Sequence, residues 1–93
     1  MERDIEQYLA LCAKKIGGKS FKWTSPGVTG VPDRIVFLPD GQVVFVEVKD
    51  HTGKLTPRQA EVHKQLSRLG HPPYTVYGVD GVKRFFGRYG YEV

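Results

Sequence analysis

Asp33, Glu47 and Lys49 are the residues of this 93-residue chain whose types and spacing suit chemistry. Residues 43–49, Val-Val-Phe-Val-Glu-Val-Lys, carry the strongest strand signal in the sequence. Side chains alternate faces along a strand, so Phe45, Glu47 and Lys49 share one face and Val44, Val46 and Val48 the other. A strand this apolar belongs inside a sheet, where a carboxylate and an ammonium are costly unless they are paired or bind something. Residues 35–38, Ile-Val-Phe-Leu, read as the preceding strand, and Pro39-Asp40-Gly41 as the turn that joins the two in an antiparallel hairpin. Counting back from that turn, Leu38 lies opposite Gln42 or Val43, and Asp33 opposite Glu47 or Val48. Two carboxylates and a lysine thus converge at one end of a sheet. Crowded carboxylates repel one another, and a divalent cation relieves the repulsion. Mg²⁺ prefers oxygen ligands and keeps several waters, and such an ion polarises a phosphate and acidifies a bound water. The competing reading is an exposed Glu47–Lys49 pair on an edge strand, an ordinary surface feature.

The elements that must hold these residues follow from periodicity. Residues 3–16 place Ile5, Leu9, Cys12, Ala13 and Ile16 at spacings of three and four, which predicts a helix ended by Gly17-Gly18. Phe21 and Trp23 flank Lys22 in a short strand. Residues 25–30, Ser-Pro-Gly-Val-Thr-Gly, have loop chemistry, and they lack the Gly-Lys-Ser/Thr ending of a phosphate-binding loop. A second helix is expected over 57–69. Thr56 is its N-cap, Pro57 its first residue and Gln59 the partner that completes a capping box. Val62, Leu66 and Leu69 form its apolar face. Residues 74–79 read as a further strand, and 80–88 as a last helix capped by Asp80. The order α-β-β-β-α-β-α gives an α/β fold, a mixed central sheet flanked by helices, in one domain over residues 1–93.

Pro32-Asp33 followed by Glu47-Val48-Lys49 resembles the PD-(D/E)XK nuclease motif. Thr24-Ser25-Pro26-Gly27, Gly30-Val31-Pro32-Asp33-Arg34, Val44 to Lys49, and Gly53-Lys54-Leu55-Thr56-Pro57-Arg58-Gln59 are similar to the VRR-NUC family, the virus-type replication-repair nucleases. The resemblance runs from residue 2 to about residue 86. It implies a restriction-endonuclease-like core and Mg²⁺- or Mn²⁺-dependent hydrolysis of a DNA phosphodiester. It makes Asp33 and Glu47 metal ligands, with the carbonyl of Val48 as a third. Lys49 becomes the catalytic lysine, read here as a cation that stabilises the phosphate rather than as a free base. Gln59 matches a glutamine of the family pattern, although the capping box already gives it a structural role. The resemblance also implies a glutamate on the first helix, as in the archaeal Holliday junction resolvases. Glu2 and Glu6 can both face inward. Glu2-Arg3-Asp4-Ile5 through Leu9 matches the resolvase-like phrasing and favours Glu2, while a negative charge at a helix N-terminus is favourable without any function.

Lys and Arg number 14 against 10 Asp and Glu, a formal net charge of +4, which points to an anionic partner. Lys22, Ser25, Arg34, Lys54 and Arg58 are the candidate DNA contacts. Lys14, Lys15, Lys19, Lys83, Arg84 and Arg88 are further cations that either meet phosphate or form a solvated face. The expected substrate is branched DNA recognised by shape, foremost a four-way junction cut by a two-fold homodimer. The alternatives are a nuclease for flap, nicked or single-stranded DNA, and a nucleic-acid-binding protein that does not cut. Phe85, Phe86, Tyr89 and Tyr91 either pack against such a partner or belong to the core. The chain is too short for a TIM barrel, and its longest apolar run is far below a membrane span. The N-terminus lacks signal-peptide character. His51, His63 and His71 with one cysteine do not have zinc spacing. The lone Cys12 suits a reducing interior, and the expected setting is the cytoplasm of a bacterium or phage-infected host.

Overall fold

Ile5, Leu9, Cys12 and Ala13 recur at helical spacing, and they are the buried residues of α1 (Glu2–Lys15) in the computed structural model, which describes residues 1–93. Acids in its first turn and Lys14 and Lys15 in its last complement the helix dipole. The chain then passes the carbonyl of Phe37 so closely at Gly18 that a Cβ there would collide with it.

The strands are β1 (Lys19–Lys22), β2 (Arg34–Phe37), β3 (Val43–Lys49) and β4 (Tyr74–Tyr77). They form one sheet in the order β1-β2-β3-β4. β1, β2 and β3 are antiparallel neighbours, and β4 runs parallel to β3. The predicted hairpin forms, with the Leu38 N–H donating to the Gln42 carbonyl at 2.9 Å. β3 lies inside the sheet, as its apolar character requires. A parallel β3–β4 pair needs a crossover, and α2 (Pro57–Arg68) supplies it. α3 (Gly78–Arg88) follows β4 directly.

Val36, Val44, Val46, Val48 and Val76 project from one face and join Ile5, Leu9, Val82, Phe85 and Phe86 in the core beneath α1 and α3. The alternation puts Phe21, Ile35, Phe37, Val43, Phe45, Glu47 and Lys49 on the other face. There α2 meets the Glu47 end, through Gln59 and His63. At the hairpin end Phe21 is 52% exposed, Phe37 42% and Val43 45%.

Four expectations need correction. Leu69 is not part of the inner face of α2: the helix ends at Arg68, and Leu69 is its C-cap and 74% exposed. The inward stripe is Gln59, Val62, His63 and Leu66, which includes two polar residues because α2 covers a polar site. The last strand stops at Tyr77 rather than residue 79. Gly78, at φ +67 and against the His51 ring, turns the chain straight into α3, so Asp80 lies in the first turn and is not the cap. β1 and β2 begin one or two residues earlier than expected, at Lys19 and Arg34. Of the two places open to the aromatic tail, it takes the core: Phe85 and Phe86 are buried, and Tyr89 and Tyr91 pack on the core. No helix is long and apolar enough to cross a membrane.

Candidate active site

The site grows from the register of β2 on β3. Arg34 pairs with Val46 and Ile35 with Phe45, so Asp33, one residue before β2, falls opposite Glu47. The Asp33 carboxylate accepts the Val48 N–H at 2.9 Å through Oδ2. That bond ties the loop before β2 to the end of β3 and fixes the first carboxylate.

Glu47 is 1% exposed and Lys49 6%. They lie on one face, two residues apart, and Lys49 Nζ is 3.5 Å from Glu47 Oε2. The same Oε2 accepts from Gln59 Nε2 at 3.1 Å. Glu47 Oε1 has no hydrogen-bond partner. Burial, and after it the charge of Asp33, pushes the Glu47 pKa up to about 8, against the opposing pull of Lys49. The pair of carboxylates therefore holds a proton at neutral pH when nothing else neutralises it.

Gln59 makes the capping contacts and also touches Glu47. Its Oε1 accepts the Thr56 N–H at 2.9 Å, while its backbone N–H donates to Thr56 Oγ1 at 3.1 Å. This capping box leaves the amide nitrogen facing Glu47. The helix cap thereby aims the side chain that orients the carboxylate. Gly30, at φ +88, lets the loop before Asp33 lie on the first turn of α2, where a Cβ would meet the Arg58 carbonyl at 2.8 Å.

His63 is a site residue that sequence reasoning missed. One turn after Gln59, it is 9% exposed, with Nε2 unpartnered and 4.0 Å from Glu47 Oε1. Burial and then Lys49 hold its pKa below the ordinary histidine value, with Asp33 pulling the other way. The signal available in the sequence was its spacing of four from Gln59, which places both on one helix face.

The remaining candidates lie apart from this cluster. Glu2 is exposed in the first turn of α1 and makes no hydrogen bond or ion pair with Asp33, Glu47 or Lys49. Glu6 is engaged on the α1 side of the sheet, 3.1 Å from Lys22 Nζ and 3.2 Å from Arg34 Nη1. Arg34 also donates to Ser20 Oγ at 2.9 Å and to the Ser20 carbonyl at 3.1 Å. Its guanidinium thus ties β1 to β2 on the face opposite Glu47, the side its even position on the strand dictates. Lys22 is exposed there too. Ser25 is half-buried in the loop before Asp33, and Lys54 and Arg58 are exposed around the start of α2. One groove, of about 390 Å³, runs along α1 and β1 and is lined by Gln7, Leu11, Lys14 and Lys19, and another is lined by Glu6, Lys22 and Arg34.

The raised Glu47 pKa has a consequence for the metal-free protein. The native state binds this proton more tightly than the unfolded chain. The resulting stability is complete below the ordinary glutamate pKa, near 4.5, and is lost as pH rises through about 8. Thermal melts in EDTA should therefore fall between pH 5 and pH 8.5. Glu47→Gln, which mimics the protonated carboxyl, should flatten that slope. A melting temperature independent of pH in the wild type would contradict the assignment.

Comparison with known proteins agrees with this architecture. No protein-family profile matches the sequence. A protein of Acyrthosiphon pisum secondary endosymbiont phage 1, named "Putative nuclease p44", is 49% identical over 70 residues, which are 75% of each chain. A solved structure described as "VRR_NUC domain" superposes with a TM-score of 0.86 at 28% identity, covering 95% of this chain and 96% of its own. A second, "VRR_NUC domain protein", has a TM-score of 0.74 at 18% identity, covering 96% and 87%, and speaks for the fold. The chain belongs to the VRR-NUC family of nuclease domains.

Proposed function

We propose that this protein is a divalent-metal-dependent DNA endonuclease of the PD-(D/E)XK class. One observation carries the reading: a carboxylate 1% exposed, with one oxygen unpartnered, beside a second carboxylate and a buried lysine. A structural ion pair would satisfy both oxygens; Glu47 Oε1 stands ready for a ligand.

The residues present fit a hard cation. Asp33, Glu47 and the carbonyl of Val48 offer oxygen alone. An all-oxygen set of this size suits an ion such as Mg²⁺ or Mn²⁺ that retains waters. When bound, such an ion polarises the scissile phosphate and acidifies a water.

The chain's own groups do the rest. Lys49, held by Glu47 Oε2, would present its ammonium to a non-bridging phosphate oxygen and stabilise the charge that builds there as water displaces a sugar oxygen from phosphorus, the broken P–O bond leaving a protonated sugar hydroxyl. Gln59 keeps the Glu47 carboxylate from turning away. Lys54 and Arg58 flank the site at the start of α2 and can hold the DNA backbone on either side. Arg34 and Glu6 brace the sheet from behind.

The net charge of +4 and the small surface favour recognition of DNA shape through phosphates rather than of base sequence. A four-way junction is two-fold symmetric and needs two cuts, which a C₂ dimer of single-site chains provides. The exposed apolar end of the sheet, Phe21, Phe37 and Val43, is a surface that a second copy would cover. The experiment is cleavage of labelled four-way junction, flap, nicked, linear duplex and single-stranded DNA in Mg²⁺, Mn²⁺ or EDTA, with the solution mass measured alongside. The expected result is metal-dependent, paired incision of the junction by a dimer, with Phe37→Lys shifting the mass to the monomer. Flap cleavage without junction cleavage would overturn the resolvase reading. Binding without metal-dependent cuts would overturn the nuclease reading.

A further inference from the structure

Every polar group around Glu47 has an assigned task except one. Glu47 Oε2 is held by Gln59 at 3.1 Å and faces Lys49 at 3.5 Å. On the other side, Glu47 Oε1 and His63 Nε2 are both buried, both without a hydrogen-bond partner, and 4.0 Å apart. A buried imidazole nitrogen left unpaired costs free energy, as does a buried carboxylate oxygen. A leucine at position 63 would fill the same space and avoid the histidine's part of that cost. Gln59 and His63 are one helical turn apart, so a single rigid element brings a polar group to each oxygen of one carboxylate. The capping box at Thr56 fixes the helix start, and with it the reach of both side chains.

We propose that His63 is a positioning residue for Glu47: its Nε2 and the Gln59 amide flank the two carboxylate oxygens and fix the rotation of the carboxylate plane. Fixing that plane presets the oxygen that a cation would use. Partners of this kind behind a ligand carboxylate typically account for about 10–100-fold in metal affinity. The inference rests on the proposed metal-dependent reading for its binding readout and on the Gln59–Glu47 bond alone for its second.

The variants are His63→Leu, which retains the packing, His63→Ala, and His63→Gln, which can return an N–H to the place of Nε2. Mn²⁺ binding is measured by calorimetry. The side-chain amide of Gln59 is followed by ¹H–¹⁵N NMR in the metal-free protein, with thermal melts as the control for folding. His63→Leu should weaken Mn²⁺ binding about 10-fold or more, and the hydrogen-bonded Gln59 amide proton should move toward its free position. His63→Gln should recover most of both. The proposal is overturned if a folded His63→Leu binds Mn²⁺ as the wild type does and leaves the Gln59 resonance in place. If the wild-type protein binds no Mn²⁺, the metal-dependent reading fails, and the Gln59 resonance in His63→Leu still decides the role of His63. An effect on Mn²⁺ binding in His63→Leu that persists unchanged in His63→Gln also counts against it.

Discussion

Replacing Lys49 by methionine is expected to lower the rate of DNA cleavage by about 10²–10³-fold while leaving DNA binding close to that of the wild type. Lys49 is 6% exposed at the end of the interior strand β3, and its ammonium stands 3.5 Å from Glu47. In the proposed reaction a buried cation anchored in this way would act on the charge that grows on the phosphate and contribute little to holding the DNA, a task that would fall to exposed cations such as Lys54 and Arg58. Methionine keeps the length and packing of the side chain and removes the charge. The loss should therefore appear in single-turnover kcat and hardly in the dissociation constant. Cleavage within a few-fold of wild type by a folded Lys49→Met would remove the lysine from the reaction.

Asp33→Asn has a larger and two-sided effect. The asparagine oxygen can still accept the Val48 N–H, so the link between the loop and β3 survives. The negative charge does not. Divalent-metal binding should weaken severely and cleavage should fall by about 10³-fold, the scale of several kcal/mol of transition-state stabilisation. In EDTA the same variant should be more stable than the wild type above pH 7. It relieves the repulsion that, after burial, raises the Glu47 pKa. A gain of about 1 kcal/mol would raise the melting temperature of a chain this size by roughly 4–8 °C. More stability with less activity is the mark of residues held together for function. A variant that loses activity and stability together in EDTA would instead identify Asp33 as a structural residue.

The cluster of Asp33, Glu47 and Lys49 is legible in the sequence because its determinants are local. The turn at Pro39-Asp40-Gly41 sets the register of β2 on β3, and period two then puts Asp33 against Glu47 and both Glu47 and Lys49 on one face. The capping box gave the start of α2 and the position of Gln59. What local pattern could not give was which face each helix covers. Leu69 looked like the end of an apolar stripe, yet α2 stops a residue short of it and turns Gln59 and His63 inward instead. His63 lacks zinc spacing and carries no local signal of a site, because Glu47, whose Oε1 lies 4.0 Å from its Nε2, is sixteen residues away and comes near it only through the β3–α2 crossover. The parity that placed Glu47 also sends Arg34 to the opposite face, where it braces β1 against β2 with Glu6 and Ser20. The first-helix glutamate depends on tertiary placement alone: Glu6 is committed to Lys22 and Arg34, and Glu2 stands free of Asp33, Glu47 and Lys49.

The proposed metal-dependent nuclease activity is tested by single-turnover cleavage of an end-labelled four-way junction by the wild-type protein and by Asp33→Asn, each in Mg²⁺ and in EDTA. Discrete incisions are expected from the wild type in Mg²⁺ alone, with Asp33→Asn slowed about 10³-fold in Mg²⁺ and inactive in EDTA. Incision by the wild type in EDTA, or by folded Asp33→Asn at the wild-type rate, would contradict the proposal.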